Sequence, residues 1–156
     1  MKVMLDLNIM LDVLQARHPY YHASALVISK ILNKEILGLL PSHALTTIYY
    51  ITSKYSGKQK ADEAADWILA YFEIAPADRS AFLRARRLEI NDFEDAVVAS
   101  LAEVTACDFI VTRNVSDFRK SPVKALMPEE FLNINTDEKH SSLLKQAAEE
   151  QIGQIG

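Results

Sequence analysis

The chain is poor in the residues that build special-purpose scaffolds. A single cysteine, Cys107, in 156 residues excludes an internal disulfide and with it a stapled secreted framework; Cys107 reads as a small core residue on a strand. Only 4 glycines occur, and no low-complexity linker divides the chain. No segment repeats at a fixed period. No apolar run is long enough to span a bilayer. The N-terminus lacks the basic, apolar and small-residue order of a signal peptide, because Asp6 interrupts it, so the cytoplasm is the expected compartment. Charge of either sign is also in short excess. A net charge of -4 does not advertise a nucleic-acid partner, nor does it exclude one, since binding needs only a local basic surface.

What is present suits one soluble domain: 49% hydrophobic and 24% charged residues are enough for a core. Apolar runs alternate with helical patterns. Strands are expected at Lys2–Leu7, Ile36–Leu40, Phe72–Ala75 and Asp108–Thr112. Helices are expected at Ile9–Gln15, Ser24–Asn33, Leu45–Lys54 and Ala61–Tyr71. Two more helices follow, one after Ser80 as N-cap and one after Asn91 or Asp92, with acids in its first turn where the helix dipole favours them. "RNVSDFRKSP" reads as a loop and "MPEEFLNI" as a short last element. This alternation predicts an α/β/α sandwich around a mostly parallel sheet. Residues 1–134 form the expected domain; 135–156 are a polar tail in which "HSSLLKQAAEEQI" has amphipathic helical spacing.

In such sheets ligands bind off the carboxyl ends of the strands. The stretch "KVMLDLNIMLD" puts Asp6 there, with Asn8 beyond it. "FIVTRNVSDF" puts Thr112, Arg113, Asn114 and Asp117 there. The preceding helix offers Asp92, Glu94 and Asp95; Asp95 leads into "AVVA", a face suited to packing on the sheet. Carboxylates crowded at one edge repel one another, and a divalent cation relieves that repulsion. Oxygen donors without a Cys/His set favour Mg²⁺ or Mn²⁺. Each acid also has a structural reading. A lone Asp after a strand serves as a turn or helix cap, Asp92 and Glu94 suit a first helical turn, and Asp12 suits an ion pair with a basic residue.

Taken together, "LDLNIMLD", "DFEDAVVASLA" and "FIVTRNVSDF" resemble, in that order, the acidic segments of the PIN domain nucleases. The match extends over roughly Lys2–Phe131 and is most similar to the VapC-like toxins of toxin–antitoxin pairs. The resemblance implies a PIN-like fold and an Mg²⁺- or Mn²⁺-dependent endoribonuclease acting on single-stranded RNA. It also implies a homodimer and a small antitoxin protein as inhibitor. Asp6 and Asp95 match the family's first and third acids, Asn114 falls where many members carry a fourth, and Asp117 matches an accompanying Asp. The second acid is missing from "PSHALTTIYYITSKY", where Thr47 or a neighbour stands by the pattern. The metal carboxylates are thus Asp6, Asp95 and Asp117, with Asn114 in the catalytic set. Asn8, Thr47, Thr112 and Arg113 are expected on the substrate side, Arg113 as a phosphate ligand. Arg119, Lys120 and Lys124 are further candidates for a basic rim. His43 lies near the expected site as a weaker candidate base. The alternative is a PIN-like domain that binds RNA or protein after losing part of its site.

Overall fold

The computed structural model describes residues 1–134; the amphipathic pattern in the tail lies outside the described residues. Five strands form one all-parallel sheet: β1 (Lys2–Leu5), β2 (Leu37–Pro41), β3 (Glu73–Ala75), β4 (Phe109–Val111) and β5 (Ala125–Leu126), in the order β3-β2-β1-β4-β5. Around it lie α1 (Leu7–Leu14), α2 (Tyr21–Leu32), α3 (Ser42–Ser56), α4 (Lys58–Tyr71), α5 (Arg79–Ala85) and α6 (Phe93–Val104). A short 3₁₀ helix spans Val115–Phe118, and a helical segment covers 128–134.

Strand periodicity sorts the core into two layers. Val3 and Leu5 of β1 face one side, where they pack with Met10 of α1, Ile31 of α2, Ile48 of α3, Ile68 of α4 and Phe131. Met4 faces the other, with Ile110 of β4, Ala81 and Ala85 of α5 and Ala96, Ala99 and Ala102 of α6. The small side chains let α6 lie close against the sheet. The expected α/β/α sandwich is what the chain forms.

Several boundaries differ from the sequence reading. Helices α2, α3 and α4 begin at Tyr21, Ser42 and Lys58, one turn before their apolar periodicity becomes visible, because first-turn residues need not face the core. Strand β1 stops at Leu5, so that Leu7 already belongs to α1. The cap of α5 is Asp78, which accepts from the Ala81 N–H at 2.9 Å, in place of Ser80. Asp92 caps α6 as expected, accepting from the Asp95 N–H at 3.0 Å. Strand β5 went unseen because two residues carry no periodic signal.

Two glycines matter to the backbone. A Cβ on Gly38 of β2 would run into Ile31 and meet Phe72 Cδ1 at 3.1 Å. Gly57, between α3 and α4, sits at φ 88° and ψ 165°, a region open essentially to glycine alone. Gly57→Ala is therefore expected to destabilise the domain by about 1–3 kcal/mol through the backbone, since nothing lies within 4 Å of the added methyl. Urea unfolding of the variant checks this, and an unchanged midpoint would contradict it.

Candidate active site

The chain runs outward from β1 to β2 and β3, then returns to lay β4 on the opposite flank of β1. The crevice between the carboxyl ends of β1 and β4 is the topological switch point, where parallel sheets place their ligands. Asp6 and Thr112 follow those two strands directly. A cavity of about 700 Å³ opens here, and its walls include Asp6, Asn8, Asp92, Glu94, Asp95, Asn114 and Asp117. Three separated segments thus bring their acids to one place.

Asp6 occupies the N-cap position of α1, yet its carboxylate does not cap the helix. It accepts instead from Thr112 Oγ1 at 2.8 Å, and Thr112 Oγ1 in turn accepts from the Asn114 N–H at 3.0 Å. Burial pushes the Asp6 carboxyl above its ordinary value, opposed by Thr112, the Leu7 N–H and Arg113 and reinforced by Glu94. Asp95 is half-buried, and its pKa is pushed from 3.8 up to about 7. Burial contributes most, followed by the charges of Asp6, Asp92, Asp117 and Glu94. The contributions of Asp6, Asp92, Asp117 and Glu94 require that these acids share one space with Asp95.

Other expected site residues are placed differently. Asn8 lines the cavity and accepts from Arg17 Nη1 at 3.4 Å. Thr112 is fully buried, and its hydroxyl is committed to Asp6. Thr47 is not among the cavity walls, and its hydroxyl donates to the His43 carbonyl at 3.1 Å within α3. The α3 side chain beside the acids is His43, whose Nε2 lies 3.6 Å from Glu94 Oε1. Burial lowers the His43 pKa, while Glu94 and Asp6 oppose that shift. Periodicity could not single it out, because a first-turn residue carries no packing signal.

Arg113 is also absent from the cavity walls. Its Nε lies 3.1 Å from Asp12 Oδ2, and its guanidinium carbon stands 4.0 Å from the centre of the Tyr20 ring. Asp12 therefore does form the ion pair its setting called for, but with a partner from the other end of the domain. Among the basic candidates, Arg119 and Lys120 do line the cavity, Lys120 in contact with Glu89.

The PIN domain family model (PIN_3) matches residues 2–116, most of the chain. The chain belongs to the PIN domain family. It is 27% identical over 135 residues to the Ribonuclease VapC1 of Aquifex aeolicus (strain VF5), covering 83% of this chain and 92% of that protein. Its fold is similar to that of VapBC2 from Rickettsia felis, solved with a promoter DNA fragment (TM-score 0.62, 21% identity, 81% of this chain and 98% of that one). It is also similar to a toxin–antitoxin complex from Klebsiella pneumoniae (TM-score 0.62, 19% identity, 81% and 97% covered). The family match and the PIN-like fold agree with the resemblance carried by the three acidic segments.

The donors at this PIN site are oxygens, which suit a hard divalent ion. Among the described residues no group of three or more His, Cys, Asp or Glu side chains stands close enough together to hold a metal ion by itself. That is compatible with Mg²⁺, which keeps several waters and takes one or two carboxylates.

The raised Asp95 pKa has a consequence in protein stripped of divalent ions. A carboxyl whose folded pKa exceeds its unfolded value stabilises the fold at low pH, and that contribution is lost as pH rises through the folded value. For Asp95 the window runs from 3.8 to about 7. His43 works in the opposite sense, since its lowered pKa costs stability as pH falls below 6.5. Comparison with Asp95→Asn isolates the aspartate. The variant is expected to gain stability relative to the native protein as pH goes from 5 to 8, read from urea midpoints in EDTA. A gap that stays constant or reverses would show that Asp95 is not held above its ordinary value by burial and its acidic neighbours.

Proposed function

We propose that this chain is a divalent-metal-dependent endoribonuclease of the PIN type, the toxin of a toxin–antitoxin pair, acting on single-stranded RNA. The observation that carries the reading is the convergence of Asp6, Asp95 and Asp117 from three segments on one cavity at the switch point of the sheet. Membership of the PIN family supports it, as does the ribonuclease name of the Aquifex relative.

Asp6 and Asp95 are the residues to hold Mg²⁺ or Mn²⁺, with Asp117 beside them. When bound, such an ion supplies Lewis-acid activation of water and neutralises charge on the phosphoryl group. The protein's own contribution is positional. Thr112 fixes the orientation of Asp6, and Asn114 presents a neutral amide where a fourth carboxylate would add repulsion. Arg119 and Lys120 place positive charge on the cavity wall, which offsets the repulsion between an acidic pocket and a polyanion. His43 stands next to Glu94 as a polar group from the element that offers no acid.

An antitoxin partner is supported by the toxin–antitoxin complexes among the similar structures. The homodimer rests on the family resemblance; Tyr50, Tyr55 and Leu69 leave exposed apolar surface on the α3–α4 pair that it could use. Cytoplasmic action fits a ribonuclease, and among the described residues no helix is long and apolar enough to cross a membrane.

The missing acid on α3 favours one other reading, a weakened PIN domain that binds RNA or protein without cleaving. Two measurements decide. Asp6→Asn and Asp95→Asn are each expected to abolish Mg²⁺- or Mn²⁺-dependent cleavage of single-stranded RNA while leaving circular dichroism unchanged. Cleavage that persists in either purified variant would place the activity elsewhere, and native protein that binds RNA but never cuts it would support the binding module. The second measurement is calorimetric titration without RNA. With few carboxylates available, Mn²⁺ is expected to bind more tightly than Mg²⁺, following the usual affinity order. Equal or stronger Mg²⁺ binding would contradict this account of the metal shell.

A further inference from the structure

We propose that Asp12, Arg113 and Tyr20 are positioning residues of the acidic site. On this account Arg113 is no RNA ligand; it pins the end of β4 so that Thr112 can hold Asp6. The proposal rests on the nuclease reading for its catalytic consequence only.

Two segments are joined twice. The segment running from β1 into α1 carries Asp6 and Asp12, and the one leaving β4 carries Thr112 and Arg113. The first pin is Thr112 Oγ1 donating to Asp6 Oδ2 at 2.8 Å. The second is the ion pair of Arg113 Nε with Asp12 Oδ2 at 3.1 Å, a contact of charges without hydrogen-bond geometry. Between them the Asp6 N–H donates to the Val111 carbonyl at 3.0 Å. Thr112 and Arg113 are consecutive and their side chains reach different partners, as expected of an extended strand end. A shift of the β4 end that loosened one pin would therefore loosen the other.

The second pin is built for rigidity. Asp12 is fully buried, and Ser24 Oγ donates to the same Oδ2 at 3.1 Å. Asp12 Oδ1 has no hydrogen-bond partner among the described residues, so the Arg113 charge is what makes its burial tolerable. The Tyr20 ring packs against the guanidinium from another side, 4.0 Å from centroid to carbon, as a cation–π contact. Met127, Pro128 and Glu129 line a small crevice with Arg113, Tyr20 and Ser24. A guanidinium held here by Asp12 and Tyr20 is not among the walls of the cavity that would take a phosphate. What it transmits is position. The Asn114 N–H donates to Thr112 Oγ1 at 3.0 Å, and the Asp117 N–H donates to the Asn114 carbonyl at 3.0 Å. A fixed Thr112–Arg113 pair thus sets both Asp6 and the turn that carries Asp117.

The two possible roles of Arg113 give opposite kinetics. For a positioning pair, Arg113→Met and Asp12→Asn are each expected to lower kcat on single-stranded RNA at least about tenfold, with KM within about twofold. The salt dependence of RNA binding, measured without divalent metal, stays unchanged. The double variant is no worse than the poorer single one, because both remove the same link. Tyr20→Leu, at a partly exposed position, gives a smaller loss of the same kind and serves if the buried substitutions do not fold. A phosphate ligand predicts instead a raised KM, unchanged kcat and a shallower salt slope for Arg113→Met, with Asp12→Asn silent; that outcome overturns the proposal. A readout independent of activity is amide hydrogen exchange. The Asp6 and Asn114 amides are expected to exchange at least about tenfold faster in these variants, while Met4 and Ile110 inside the strands are unaffected. If the native protein cleaves no RNA with either metal, the nuclease reading fails, but the exchange rates still judge the pin. Unchanged exchange at Asp6 and Asn114 overturns it.

Discussion

The site depends on one hydrogen bond, from the Thr112 hydroxyl to the carboxylate of Asp6. Asp6 ends the central strand of a parallel sheet and is almost wholly buried. A carboxylate in that position is costly unless its oxygens find donors. A capping bond to α1 would meet that need but would direct the carboxylate along the helix. Thr112 meets it from the neighbouring strand and so turns the carboxylate toward the cavity. The residue that satisfies Asp6 also sets its orientation.

From that bond outward, the site is a balance of charge. Asp6, Asp92, Glu94, Asp95 and Asp117 crowd a cavity whose few cations are Arg119 and Lys120, and Lys120 already contacts Glu89. Burial first, and this crowding of charge second, push Asp95 up to about 7. A cluster held open in this way is unfavourable to stability and favourable to a cation that enters it, which is the usual relation between strained electrostatics and function.

The fold tolerates such a cluster because its core is elsewhere. Two apolar layers, one on each face of the sheet, end short of the carboxyl edge. Only short polar turns and helix N-termini reach that edge: the start of α1 after Asp6, the start of α3 with His43 and the capped start of α6 with Asp95. Among the described residues the buried carboxylates are Asp6, at the site itself, and Asp12, which has its own cation in Arg113.

The sequence by itself determined the class of the fold, since its apolar runs separated by helical periods admit only helices packed on a parallel sheet. It also determined which strand-end and helix-start side chains were available, because the acids Asp6, Asp95 and Asp117 and the amide of Asn114 lie at the element boundaries that such a sheet brings to one edge. Both are local properties, written in residue type and spacing. Tertiary structure alone decided the partners. Thr47 is the α3 residue the family resemblance pointed to, yet the first-turn His43 is the one beside the acids, because the start of a helix carries no periodic signal. Arg113 had the position and charge of a phosphate ligand, yet it is held by Asp12 and Tyr20, distant in sequence and brought near only when β4 pairs with β1. The pairing of side chains across strands depends on register and on which charge is buried, and those are settled by the packed chain as a whole.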